Sequence, residues 1–161
     1  MKTRQEIARL CSGSQAGEPL PGPLVTVEAS CDRIAADVLQ EVRELWAIVV
    51  WQEEPAKLSE EQWRAILPGW FVGSCVAESD SDGAQESRVG LGNAVACPPL
   101  TLGEWMRQVA PPVRSWAWWA ANVTAPHAFE VKVTTDNAGA DLRALFWMLS
   151  CAGARAVEVV R

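Results

Sequence analysis

The stretch Arg114-Ser-Trp-Ala-Trp-Trp-Ala-Ala-Asn-Val123 constrains the fold more than any other. Its apolar, aromatic character predicts a β-strand, and strand side chains alternate between faces, so Trp116 and Trp118 are expected on one face and Trp119 on the other. Small residues at Ala117, Ala120 and Ala121 leave room between the rings. A strand loaded on both faces requires cover on both: a helix layer on one side, and on the other a second layer, a neighbouring subunit or a ligand. Arg114 shares the Trp116 face at this spacing and can stack on it. The whole chain repeats the theme, with nine Trp against three Phe and no Tyr. Trp and Arg are enriched at binding hot spots, so Trp116, Trp118, Trp119 and Arg114 are the expected partner-binding residues.

Around that strand the last third reads as a ββαβ unit. His127 to Thr134 alternates Phe129, Val131 and Val133 against Glu130, Lys132 and Thr134, with a turn at 124–126 between the two strands. Asp136 or Asn137 is the expected cap of a helix carrying Leu142, Leu145, Phe146 and Leu149, Gly153 ends it, and 156–160 forms a closing strand.

Upstream, Thr3 and Glu6 have capping-box spacing before Ile7, Leu10 and Cys11, which predicts a short helix over 1–13 standing apart from the body. Residues 14–23 are rich in Gly, Pro and Ser and are expected to be a linker. A strand over 24–29 precedes a helix over 31–45, capped by Ser30 and carrying Ile34, Val38, Leu39, Val42 and Leu45. The continuous run Trp46 to Trp51 reads as a buried strand, and Trp70 to Val76 as another strand. Ser59 with Gln62 and Thr101 with Glu104 mark two further helix starts; Pro68-Gly69 and Pro111-Pro112 stop those helices. The expected fold is therefore α+β: one domain over 24–161 with a mixed or antiparallel sheet, helices packed on one face, the C-terminal ββαβ unit and the short N-terminal helix. The polar stretch within 77–100 is the place where that domain would divide.

At 161 residues with 49% hydrophobic side chains, the chain is long enough to close a core without disulfides or structural metal. Its net charge is −6, all of it in the first 80 residues, where 13 acidic side chains face 7 basic ones; the remainder holds 7 of each. Arginines are scattered singly, so neither nucleic acid nor a membrane surface is an expected partner. Eleven Arg against three Lys is the bias that a GC-rich, bacterial-type genome produces through codon supply. An acidic face that includes Glu53, Glu54, Glu60 and Glu61 suits a basic protein partner.

Five dispersed cysteines fit a reducing compartment. No export signal or membrane-spanning run is evident, so the expected location is cytoplasmic and the Asn122-Val-Thr124 sequon is incidental. The chain has one His and no C-x-x-C, so no metal site is expected. The segment Glu78-Ser-Asp80-Ser-Asp82-Gly83 begins like a calcium loop, but its twelfth position is Val89, not a bidentate Glu. Gly90-Leu-Gly92 lacks the third glycine of a dinucleotide fingerprint, and no cofactor is expected.

Three functions follow. The first is a non-enzymatic cytoplasmic interaction module that binds a protein partner or itself, as an inhibitor or immunity-type protein or in complex assembly. A small-molecule or peptide binder with a Trp-lined pocket is the second. The third is a small enzyme using His127, oriented by Glu130 and paired with Cys97, Cys75 or Ser115; it requires His127 in a cleft beside such a group.

Overall fold

The structure, a computed structural model, describes residues 2–13, 17–75, 99–137 and 139–160. The calcium-like segment 78–83, Gly90-Leu-Gly92, Cys97 and the suggested division within 77–100 lie outside them, apart from Pro99 and Leu100. The fold is α+β, with six α-helices and one antiparallel four-stranded sheet among the described residues. The strands are β1 (Leu24–Cys31), β2 (Trp116–Ala125), β3 (Ala128–Thr135) and β4 (Ala154–Val160), ordered β2-β3-β1-β4. The helices are α1 (Lys2–Ser12), α2 (Ala35–Val50), α3 (Glu60–Ile66), α4 (Gly69–Ser74), α5 (Leu102–Val109) and α6 (Arg143–Ala152). The chain from 116 onward is the expected ββαβ unit.

Period-two patterning decides the sheet's two faces. Val27, Ala29, Cys31, Phe129, Val131, Val133 and Val157 are buried beneath the helices, while Glu28, Ser30, Glu130, Lys132 and Glu158 occupy the alternate positions on the open face. Beneath the helices, α2 and α6 supply Val38, Leu39, Val42, Leu45, Leu145, Met148 and Leu149 to one continuous core.

Two segments expected as strands are helical. Trp46 to Val50 is the last part of α2, because Leu45, Trp46, Val49 and Val50 extend the buried stripe that Val38, Leu39 and Val42 begin. A continuous apolar run satisfies a buried helix as well as a buried strand, and here the preceding helix simply propagates. Trp70 to Ser74 lies in α4, which buries Phe71. The helix expected from residue 31 begins at Ala35; Ser30 is held in the sheet opposite Ala128 and Ala156. Instead of a side-chain cap, α2 receives the β2–β3 turn: Ala35 N–H donates to the Pro126 carbonyl at 2.8 Å and Cys31 N–H to that of His127 at 2.9 Å. The first of these bonds satisfies a backbone donor that a helix start otherwise leaves free, and the second anchors the end of β1 to the same turn.

The Ser59/Gln62 and Thr101/Glu104 capping boxes both form. The expected cap at Asp136 or Asn137 does not: α6 starts at Arg143, whose N–H donates to Asp141 Oδ1 at 3.0 Å. Gly153 closes α6 with φ of 118°, a left-handed conformation that glycine adopts without a Cβ penalty.

Nor does α1 stand apart. Thr3 lies inside the helix, and Glu6 and Arg9 are buried against the body. The described part of the connection that follows, 17–23, is tied down at both ends: Arg9 pairs with Glu18, and Thr135 N–H donates to the Pro23 carbonyl at 2.9 Å. At Gly22 any Cβ would stand 2.3 Å from the Thr135 carbonyl oxygen, so only glycine allows this approach.

Candidate functional site

Trp116, Trp118 and Trp119 are 4%, 0% and 7% exposed, enclosed by their own chain. The expected alternation fails at a β-bulge. Trp118 stands opposite Val133 but Ala120 stands opposite Lys132, so Trp119 is an extra residue outside the ladder. Beyond the bulge the parity of β2 is reversed. Trp116 stacks on Trp46 of α2, with ring centroids 4.7 Å apart, and the Arg9 guanidinium lies 4.1 Å over the Trp119 ring. The cover these rings demand thus comes from α2 and α1, and they are not free to meet a partner.

Arg114 is also drawn inward. Its guanidinium sits 5.1 Å from the Trp46 centroid and 5.6 Å from that of Trp116. Nη1 donates to both oxygens of the fully buried Glu6, at 2.8 and 3.1 Å. Glu6 accepts two further bonds, from Trp46 Nε1 at 3.0 Å and from the Trp118 backbone N–H at 2.7 Å. One carboxylate therefore joins α1, α2, the approach to β2 and β2 itself. A buried charge is tolerable only with a partner and with its lone pairs satisfied, and both conditions hold here.

Five other indoles lie among the helices or at their ends. Trp63 meets Trp105 edge to face at 6.5 Å, and Phe71 lies 4.5 Å from Trp105. Trp105 Nε1 donates to the Ala144 carbonyl at 3.1 Å. Trp147 is buried near Cys75, whose thiol is pushed up chiefly by burial. Trp70 is half-buried beside Phe71. Trp51, the C-cap of α2, is 64% exposed. Seven of the nine indoles are buried, which leaves Trp51 as the one that is mostly bare.

Trp51 lies on the same connection as two expected site residues, Glu53 and Glu54, while Glu60 and Glu61 open α3 just beyond. All four are at least partly exposed. Glu54 pairs with Lys57 and Glu60 with Arg64; among the described residues no ion pair involves Glu53 or Glu61. The 46–51 run, read as a strand, hides this arrangement in the sequence, because a buried strand gives Trp51 no reason to be outside.

His127 is exposed in the β2–β3 turn, and its Nδ1–H donates to the Arg33 carbonyl at 2.9 Å. The Cys31 thiol reaches its backbone oxygen, not its ring. Glu130 is engaged by Asn122 at 2.9 Å and by Lys132 at 3.2 Å, and those bonds hold its carboxyl below the usual range. Among the described residues no group of three or more His, Cys, Asp or Glu side chains is placed to hold a metal ion, and no described helix is long and apolar enough to cross a membrane.

A cleft of about 450 Å³ opens between α1 and the β2–β3 pair, lined by Gln5, Arg9, Arg114, Trp116, Thr134 and Asp136 together with Pro21, Pro111 and Pro112. Only one of the nine indoles reaches it.

No family model matches the chain, and no curated protein or solved structure does.

Proposed function

We propose that the chain is a non-enzymatic, cytoplasmic protein-interaction module, of the inhibitor, immunity or complex-assembly kind, that presents Trp51 and the acidic residues around it to a basic protein partner. The observation that carries this reading is the exposure of Trp51 while seven indoles are enclosed. A large bare aromatic flanked by carboxylates combines an anchor with long-range attraction, the pairing found at interface hot spots. Glu53, Glu54, Glu60 and Glu61 supply the attraction and Trp51 the buried contact. The ring set first expected to do this, Trp116, Trp118 and Trp119, serves the interior.

The test uses Trp51 as its own reporter. Arginine-rich peptides titrated into the full chain at low salt are expected to change indole emission, and the change is expected to vanish in Trp51→Phe. Binding is expected to weaken as salt rises, since exposed charge pairs are screened. Binding that ignores both salt and the Trp51→Phe change overturns the reading. A small-molecule or peptide binder is the second reading and rests on the 450 Å³ cleft, whose volume suits a small ligand; a single indole in its wall gives it less support. An enzyme using His127 draws none from the site, because the imidazole is bonded to a backbone carbonyl on open surface.

A further inference from the structure

The sheet has two edges. β2 is closed by α1, whose Glu6 takes the Trp118 N–H. β4 pairs with β1 on one side, and among the described residues no backbone group bonds its other side. Proteins usually blunt such an edge with proline, lysine, a bulge or a covering helix. β4 is seven residues long without proline or lysine; its one cation, Arg155, lies at its only register shift, between Ala154 and Ala156, and pairs with Asp32. Its free N–H and C=O groups can accept another strand.

Side chains specify which strand. The registers align Asn122, Glu130, Glu28 and Glu158 in one row across the open face. Asn122 and Lys132 answer Glu130; among the described residues no ion pair involves Glu28 or Glu158. Like charges opposite one another on neighbouring strands repel, and an opposite charge in the next position relieves them. Ser30, Ala128 and Ala156 beside this row are small and leave it open. On the other face Val157 belongs to the core and Val159, 45% exposed, is the apolar side chain that β4 presents.

We infer that β4 is a docking edge for an extended segment of a protein partner, which adds as a fifth strand with a lysine or arginine opposite Glu158 and an apolar side chain opposite Val159. This goes beyond the Trp51 surface and shares no residue with it. A second copy of the chain fits poorly. Antiparallel self-pairing about a two-fold axis brings together residues of the same face, so within the regular stretch 156–160 Glu158 meets Ala156, Glu158 or Val160, none of them a cation.

The experiment uses the full chain and a nine-residue peptide alternating valine and arginine. The expected result is protection of the 154–160 amides from hydrogen exchange, with Trp51 emission unchanged. Glu158→Gln is expected to weaken binding about two- to fivefold, the scale of one cross-strand charge pair, and Glu158→Lys to abolish it. A fully N-methylated peptide of the same sequence, which keeps the charge but loses the donors, is expected not to bind. The inference is overturned if an alternating valine and glutamate peptide binds equally, if protection falls outside β4, if neither peptide binds, or if light scattering shows a dimer paired through β4 without peptide. Trp51→Phe is expected to leave peptide binding intact, so failure here and failure at Trp51 are read separately.

Discussion

The two edges of one sheet are treated in opposite ways. At β2 the chain inserts a buried carboxylate, an arginine lying beside two stacked indoles and a whole helix; at β4 it leaves a seven-residue strand with Val159 and Val160 exposed and, among the described residues, two neighbouring glutamates in no ion pair. Burying charge to close an edge is a demanding solution, since an ion pair taken from water gains little over apolar packing and loses much if one member is removed. Such an edge becomes part of the core and is closed to partners. Of β4, Val157 is buried in the core and Ala154 packs against it, while Glu158, Val159 and Val160 are exposed and available for recognition.

The comparison breaks most clearly at Glu6. Glu6→Ala strands the Arg114 guanidinium and two N–H donors in the interior and is expected to cost about 3–5 kcal/mol, read from urea unfolding. Combining Glu6→Gln with Arg114→Leu is expected to recover much of that loss, because no lone buried charge remains. A loss well below ~1 kcal/mol for Glu6→Ala would mean that α1 closes β2 by apolar contact alone.

The next test is pH, on the side of the molecule where α6 leads into β4. There Arg33 holds Glu41 at 2.7 Å and also donates to the Ala152 carbonyl. The bond to Arg33 lowers the Glu41 carboxyl, and Arg143 likewise lowers that of Asp141. A group held lower in the folded than in the unfolded chain stabilises above its unfolded value and loses that contribution as pH falls through the folded one. Stability is therefore expected to decline below about pH 4, near ordinary carboxylate values. Arg33→Met is expected to flatten part of that decline, followed by thermal unfolding across pH. An unchanged acid profile would remove this pair from the account.

Smaller effects sharpen the open side. Glu28→Gln removes the middle member of the glutamate row and is expected to stabilise the chain by about 0.2–1 kcal/mol, a gain with the opposite sign to Glu6→Ala. Destabilisation instead would mean that the row is compensated. Trp51→Ser is expected to shift stability by no more than about 0.5 kcal/mol, as an exposed residue outside any cap bond of its own side chain, while the longest-wavelength part of the indole emission disappears. A loss of several kcal/mol would place Trp51 within the packed structure and remove it as an anchor.

The elements whose signals are local were legible in the chain. Capping boxes at Ser59 and Thr101, alternation in 129–133, the helix stripe from Leu145 to Leu149 and the stop at Gly153 each act over a few residues, and each appears where the pattern places it, whereas Thr134, expected on the open face, is buried and Leu142 precedes the helix. The α+β class and the ββαβ unit follow from them. Whether Trp46 to Trp51 is strand or helix was not legible, because an apolar run fits either and only the layers around it choose. The one-residue bulge at Trp119 was not legible either: it depends on the register with β3, and it turned a strand expected to show indoles to a partner into one enclosed by α1 and α2. Glu6 looked like half of a cap because its real partners lie 40, 108 and 112 positions away. Local patterning thus decided which elements exist, by short-range backbone and side-chain preference. Which side chains are inside, and which edge stays open, was decided by long-range register and packing, the forces that no window of sequence contains.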